Sequence, residues 1–304
     1  MPKALQKGIN SLGYHQIHGL MKERLTITID STLLKKLDGT IDGVNVRNRS
    51  HAIERLLDMA LTQSMPKKAI VLAGGNTLSF KGQHDIPKPM LMVKGRPILE
   101  YVIRELKRND VTEILMAIGR GGEKIISYFG DGSMFGVSIN YIKEESPKGT
   151  ANALSLAKGL VGPTSFFVIN GDNIFRINLQ EMYKQHLSTK AMATISLSTV
   201  DVTSGFGVTR LDGFKVTRFL EKPVNEKGKL VSAGIYLFNQ AIFNIIEKEA
   251  ATHAMLERNV FPKLAESGNL YGYAFSTPWY PLDSKNIGES INRLEKTAAT
   301  LDRE

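Results

Sequence analysis

Residues 67–90 read KKAIVLAGGNTLSFKGQHDIPKPM. The run Ala69–Ala73 is apolar without alternation and of strand length, the pattern of a strand buried on both faces of a parallel sheet. It leads directly into Gly74 and Gly75. Glycines at the end of a buried strand bring backbone N–H groups up to a phosphate. The stretch closes on Pro87-Lys88-Pro89, so strand, glycine turn and lysine together pose a phosphate-binding loop.

Working outward, strand-length apolar runs alternate with helical patterns for over 230 residues downstream of this strand. That alternation argues for an α/β domain with a mostly parallel sheet and helices on both faces. Upstream, TQSMPKK at 62–68 marks a change of pattern. The expected organisation is a flexible basic arm at 1–21, a small module at 22–62, a linker at 63–67 and the α/β domain at 68–304.

The chain has 304 residues, a formal net charge of +9 and no cysteine. Disulfides and thiolate metal sites are therefore excluded. No run of about 18 apolar residues predicts a membrane span, and the first twenty residues lack the apolar core of a secretory signal. These features suit a cytoplasmic protein. The basic balance favours partners that carry phosphate, whether nucleic acid, nucleotide or sugar phosphate, without choosing among them. His15 and His18 have a metal-pair spacing but no third ligand, so a tail without metal is the simpler reading.

The small module begins with the alternating RLTITI of 24–29. Leu25, Ile27 and Ile29 share one face; Arg24, Thr26 and Thr28 share the other. STLLKKLDGT then reads as a helix, and Ser50 as the N-cap of a second. About forty residues with one strand bury little surface alone and leave the strand's backbone unpaired, so an obligate dimer is expected. The segment resembles the ribbon–helix–helix family of DNA-binding regulators over 23–61. The resemblance implies that Arg24, Thr26 and Thr28 read bases in the major groove. It implies that Ser50 and His51, with Arg47 and Arg49 before them, hold a backbone phosphate. A module that only dimerises remains the alternative.

Further pieces accompany the opening stretch: IPKPMLMVKGRPILEYVIREL at 86–106, GTANAL at 149–154, FFVINGDNIF at 166–175, VTRFLEKP at 216–223, SAGIYLF at 232–238 and WYPLDSKNIGE at 279–289. In this order they resemble the sugar-1-phosphate nucleotidylyltransferases, over roughly 67–300. The resemblance implies a Rossmann-like domain with Mg²⁺ held by Asp172 and Asp283. Lys88 is implied at the triphosphate, and Lys222 at the sugar phosphate with Glu221 beside the sugar. Ala73, Gly74, Gly75, Gly149, Thr150, Asn173, Ala233 and Gly234 are implied to line the nucleotide and sugar pocket. Such chemistry needs cations for the phosphates, an aligned nucleophile and leaving group, and a hard cation that takes one or two carboxylates plus phosphate oxygens.

One departure bears on activity. The family's loop reads Gly-Gly-x-Gly-Thr-Arg-Leu; here Gly74-Gly75 is followed by Asn-Thr-Leu-Ser-Phe. Losing one charge-assisted contact costs about 1.5–3 kcal/mol. Lys81 or His84 is the expected substitute, as a point charge without the bidentate fork. The main expectation is accordingly a homodimeric DNA-binding transcriptional regulator. Its nucleotidylyltransferase-like domain would bind a nucleotide, sugar phosphate or nucleotide sugar with Mg²⁺, tune DNA affinity and turn over slowly or not at all. The alternative is an active sugar-1-phosphate nucleotidylyltransferase with an appended DNA-binding module.

Overall fold

The computed structural model describes residues 26–301 except 45, 63–64, 76, 81–82, 145–147, 202, 204, 225–229, 250–253 and 283–285. Arg24, Lys81, Asp283, the arm at 1–21 and the side chain of His84 lie outside the described residues. The chain forms two compact units, Met1–Leu61 and Thr62–Glu304.

In the first unit, α1 spans Ser31–Asp38 and α2 spans Arg49–Thr62. Asp30 caps α1 by accepting from the Thr32 and Leu33 amides. The cap of α2 is Asn48, which accepts from the His51 amide at 3.0 Å, and not Ser50, which lies inside the helix. Arg49 binds Asp38 through Nε at 2.7 Å and Nη2 at 2.8 Å, which ties the two helices together. Residues 26–30 form no strand within the chain; Thr26 and Thr28 are exposed. Two helices follow the expected segments, but a ribbon–helix–helix module is not shown.

In the second unit, β1 (Lys68–Leu72) is followed by a hairpin of β2 (Thr77–Phe80) and β3 (Gln83–Pro87), then β4 (Met92–Val93) and β5 (Arg96–Pro97). Next come α3 (Ile98–Arg108), β6 (Glu113–Ile118), α4 (Gly122–Phe129), β7 (Ser138–Lys143) and α5 (Thr150–Ala157). Then β8 (Phe166–Asn170), β9 (Asn173–Phe175), α6 (Leu179–Thr189), β10 (Ala193–Thr199), β11 (Gly207–Asp212), β12 (Lys215–Glu221) and β13 (Leu230–Phe238) follow. The chain ends with α7 (Ile242–Glu249), α8 (Phe261–Glu266), β14 (Leu270–Ala274), β15 (Trp279–Pro281) and α9 (Ile287–Leu301). None of these helices is long and apolar enough to cross a membrane.

Among the described residues, nine strands form one sheet in the order β10-β14-β12-β11-β13-β8-β1-β6-β7. The half holding β8, β1, β6 and β7 is parallel, as the crossover helices require. The rest is mixed, which corrects the expectation of a mostly parallel sheet. β13 runs antiparallel to β8, β11 and β12 pair antiparallel, and β10 pairs with both β14 and β13. Five strands thereby close on themselves. The cause is local: only Gly213 and Phe214 separate β11 from β12, too short a link for anything but an antiparallel hairpin.

Burial follows the alternation of the strands. Ile70, Phe166 and Val168 face a core built with Leu154 of α5, Phe243 of α7 and Phe261 of α8. Ala69, Val71, Phe167 and Ile169 face the opposite core, with Val102 and Leu106 of α3, Phe129 of α4 and Met182 of α6. Helices therefore cover both faces, as expected. A third cluster packs Ile98 and Tyr101 of α3 against Leu282 and against Leu294 and Ala298 of α9.

Candidate active site

The parallel half of the sheet changes direction at β1. The chain moves from β1 to β6 and β7 on one side, and β8 lies on the other. Such a switch opens a crevice beyond the carboxyl ends of the two strands. Leu72 and Asn170 are register partners there, and the Gly171 amide donates to the Leu72 carbonyl at 3.0 Å. Gly74 and Gly75 leave β1 on one wall of the crevice; Gly171 and Asp172 leave β8 on the other.

Asp172 feels the charges of two cations. Burial pushes its carboxyl above the ordinary carboxylate range, and the charges of Lys88 and Lys222 pull it back down. Lys88 opens a short 3₁₀ turn that ends at Met90 and is half-buried. Lys222 arrives from the far side, at the end of β12, with its backbone in the left-handed region at φ 47°. A non-glycine residue held there costs about 1–3 kcal/mol and persists only where its surroundings fix it. The Lys222 amide donates to the Phe206 carbonyl, and its ammonium lies 3.7 Å from Glu221 Oε1. Burial raises the Glu221 carboxyl, and nearby Glu257 adds to the rise.

Next to Asp172, β9 pairs with β15, so that Pro281 faces Asn173 and the Leu282 amide donates to the Asp172 carbonyl at 2.9 Å. Asn173 Nδ2 and Trp279 Nε1 both donate to the Ala233 carbonyl, at 3.1 and 3.0 Å. Gly234, at φ 75°, follows; a Cβ there would stand 2.7 Å from Asn170 Nδ2 and 2.8 Å from Asn173 Nδ2. Side chains from β8, β9 and β15 thus pack against the backbone of β13 at Ala233 and Gly234.

The turn at Gly149-Thr150 is held by a group that sequence reading missed. Glu257, almost fully buried, accepts from Thr150 Oγ1 at 2.9 Å and from the Tyr236 hydroxyl at 3.1 Å. Thr150 Oγ1 accepts in turn from the Leu256 amide at 2.8 Å, and the Ala151 amide donates to the Ala254 carbonyl at 3.0 Å. Glu257 sits in a π-helical turn, Leu256–Val260. Such turns recur at functional sites. Nothing local in LERNV marks this glutamate, because its partners are about a hundred and about twenty residues away in sequence.

The structure therefore brings Gly74, Gly75, Lys88, Asp172, Asn173, Lys222, Ala233 and Gly234 to one crevice; Glu257 holds Thr150 by a hydrogen bond and acts on Glu221 only as a nearby like charge. The segment after the glycines is a two-stranded hairpin, with Thr77 opposite Pro87 and Leu78 opposite Ile86. Beside it, Glu144 Oε2 would lie 3.1 Å from a Cβ on Gly74, and burial raises its carboxyl.

Residues 68–284 match the family model described as nucleotidyl transferase. The chain belongs to this family. It is 35% identical over 240 residues to the low-salt glycan biosynthesis nucleotidyltransferase of Haloferax volcanii, covering 77% of this chain and 66% of that protein. It is 30% identical over 200 residues to the D-glycero-alpha-D-manno-heptose 1-phosphate guanylyltransferase of Aneurinibacillus thermoaerophilus, covering 64% of this chain and 86% of that one. A Bacillus anthracis structure described as a glucose-1-phosphate thymidylyltransferase in complex with sucrose superposes with a TM-score of 0.68 at 27% identity, over 75% of this chain and 95% of that one. The chain spans 66% of the length of the Haloferax relative and 60% of that of a probable mannose-1-phosphate guanylyltransferase of Oryza sativa.

These names overturn the expectation of a DNA-binding regulator. Each relative is named for nucleotidyl transfer, and none of them is named as a DNA-binding protein. The altered loop alone suggests sensing without turnover; the named relatives favour the enzyme instead. Arg47 and His51, expected at a DNA phosphate, meet each other here, the Arg47 amide donating to His51 Nδ1 at 3.3 Å.

Proposed function

We propose that this chain is a sugar-1-phosphate nucleotidylyltransferase. The observation that carries the reading is Asp172 at the carboxyl end of β8, directly across from the glycine turn that follows β1, with Gly171 bonded to Leu72 and the charges of Lys88 and Lys222 both acting on its carboxyl. An oxygen of the sugar 1-phosphate attacks the α-phosphorus of a nucleoside triphosphate. The bond from that phosphorus to the bridging β-oxygen breaks, and pyrophosphate leaves with the electron pair.

The two lysines divide the work. Lys88, beside the glycine turn, binds the triphosphate. Lys222, fixed by its strained backbone beside Glu221, binds the sugar phosphate and brings its oxygen into line. Holding both reactants in an attack geometry replaces an encounter in solution by an intramolecular step. Ala73, Gly74 and Gly75 approach the phosphates; Gly149, Thr150, Asn173, Ala233 and Gly234 line the pocket for base and sugar.

The donor set fits Mg²⁺. Asp172 offers a hard carboxylate oxygen at the end of β8, beside the turn where phosphates would bind. A cation that takes few protein carboxylates and completes its shell with phosphate oxygens and water suits that arrangement. Asp172 would hold it, with Asp283 as the second carboxylate, and the ion would neutralise charge that develops on the phosphates.

We propose residues 68–304 as the catalytic domain and 22–62 as a unit that associates with a second copy. That association is supported by Ile27, Leu33, Leu56 and Leu57, all at least 44% exposed, on a segment too small to bury much surface alone. The activity test is pyrophosphate release with Mg²⁺ from GTP, dTTP and UTP, each paired with mannose, heptose and glucose 1-phosphates. At least one pair should release pyrophosphate, and Asp172→Asn should lower that rate by 10²-fold or more. No release above the Asp172→Asn background with any pair refutes the proposal.

A further inference from the structure

A cation that the loop's own sequence does not provide follows a residue packed on the glycine turn. β1 and β6 are neighbouring parallel strands, so the residues that follow them emerge together. Gly119, just after β6, packs on the glycine turn: a Cβ on Gly119 would lie 3.4 Å from the Gly75 amide nitrogen and 3.5 Å from Gly74 Cα. The next residue is Arg120. Its Nη2 lies 2.9 Å from Asp85 Oδ1, and the Asp85 carboxylate also accepts from Thr77 Oγ1 at 3.1 Å. Thr77 stands two residues beyond Gly75. Three contacts therefore join the two chain segments: Thr77 to Asp85, Asp85 to Arg120, and Gly119 to the glycine turn.

The pairing of Arg120 is of a kind that yields to a ligand. The Arg120 side chain is 73% exposed and that of Asp85 is 55% exposed. An ion pair open to water contributes little, so exchanging the carboxylate for a phosphate is nearly free of penalty. The anchor itself is firm. Asp85 holds a left-handed backbone at φ 52°, its carbonyl accepts from Lys124 Nζ at 3.1 Å, and it is packed under Gly121. A guanidinium offers a phosphate a planar pair of donors that an ammonium cannot.

We infer that Arg120, delivered from the end of β6, grips the outer phosphates of the triphosphate and the pyrophosphate that leaves. Asp85 parks the guanidinium at the rim of the glycine turn until substrate arrives. The inference rests on the transferase reading above, since it assumes that a triphosphate occupies this crevice.

The test measures binding, which separates it from turnover. Affinities for GTP, dTTP and UTP, for their monophosphates, and for pyrophosphate, all with Mg²⁺, are measured on the full chain. The set is repeated for Arg120→Ala, Arg120→Lys and Asp85→Asn, with melting curves to confirm folding. Arg120→Ala should weaken triphosphate and pyrophosphate binding by about 10- to 100-fold and leave the monophosphate unchanged, as expected for one charge-assisted bidentate contact. Arg120→Lys should recover part of the loss. Asparagine tolerates the left-handed backbone. Asp85→Asn should therefore fold and bind triphosphate as well as the native chain or better. If the native chain prefers triphosphate to monophosphate and Arg120→Ala keeps that preference, the Arg120 role is overturned and the transferase reading stands. A loss with Asp85→Asn as large as with Arg120→Ala also overturns it, because the pair would then be a structural clasp. A native chain that binds none of these probes overturns both.

Discussion

Glu257 offers a quantitative test of how the crevice is held. Its carboxylate accepts two hydroxyl donors, Thr150 Oγ1 at 2.9 Å and the Tyr236 hydroxyl at 3.1 Å, and all but about a tenth of the residue is hidden from water. Tyr236 is 1% exposed, so its hydroxyl has no water to turn to. A hydrogen bond to a charged group contributes about 1.5–3 kcal/mol, and a buried donor left without a partner costs about 1–3 kcal/mol. Glu257→Ala should then destabilise the domain by about 3–5 kcal/mol. Tyr236→Phe alone should cost about 1.5–3 kcal/mol. In the Glu257→Ala background the hydroxyl has lost its charged acceptor and keeps only Ser232 beside it, so the same change should cost little. The coupling from a double-mutant cycle in urea denaturation should therefore be about 1.5–3 kcal/mol. A second cycle with Thr150→Val should give a coupling of similar size. Couplings below about 0.5 kcal/mol in both cycles would mean that Glu257 does not organise this turn, and would refute the reasoning.

Two other predictions follow from single positions. Gly149 has φ 100° and ψ 166°, backbone that side chains rarely adopt, and a Cβ there would sit 2.4 Å from the Ala254 carbonyl oxygen. Gly149→Ala should cost about 2–4 kcal/mol, read as a lower melting temperature, and should raise the KM for nucleotide. His186 is 3% exposed, and burial depresses its pKa from 6.5 to about 4. The unfolded chain therefore binds more protons between those values, and the stability this neutral imidazole contributes is present above about pH 6.5 and lost as pH falls toward 4. The loss approaches ~3 kcal/mol well below pH 4, from about 1.4 kcal/mol per pKa unit. His186→Gln should flatten the acid limb of stability against pH, and an unchanged limb would reassign it to other groups.

What the sequence disclosed depended on how local each signal was. β1 and its glycines were legible because burial on both faces writes an unbroken apolar run, and β8 was legible for the same reason. The antiparallel insertion was overlooked although its mark is present: Asp212-Gly213 between two alternating runs is a hairpin signal. The second helix's cap was misplaced at Ser50 because Asn48, another good capping residue, stands two positions earlier and takes the role. In the candidate site, Lys88, Asp172 and Lys222 are named through the family resemblance that their short motifs carry. Glu257 could not. A glutamate among apolar residues has no readable partner until the fold brings Thr150 and Tyr236 to it.

The signature loop shows why a missing motif residue is weak grounds for denying an activity. A motif records which charge sits at which step of one chain segment, whereas a phosphate responds only to where the charge is in space. Neighbouring strands in a sheet lie about 4.8 Å apart. In the parallel half, β1 and β6 end at the same level, with Leu72 opposite Ala117, and the Ala73 amide donates to the Ala117 carbonyl at 2.9 Å. Any side chain one or two residues past β6 therefore starts within reach of the turn that follows β1. A long guanidinium at that step, such as Arg120, can cover the phosphates that an arginine within the turn would otherwise cover. Along the sequence, residues 76–84 offer only Lys81 and His84, because spacing along one segment is the only distance a sequence shows. Once the register of β1 against β6 is known, the question becomes which cation lines the rim, and Arg120, already drawn toward the turn by Asp85, is the candidate that the fold itself supplies.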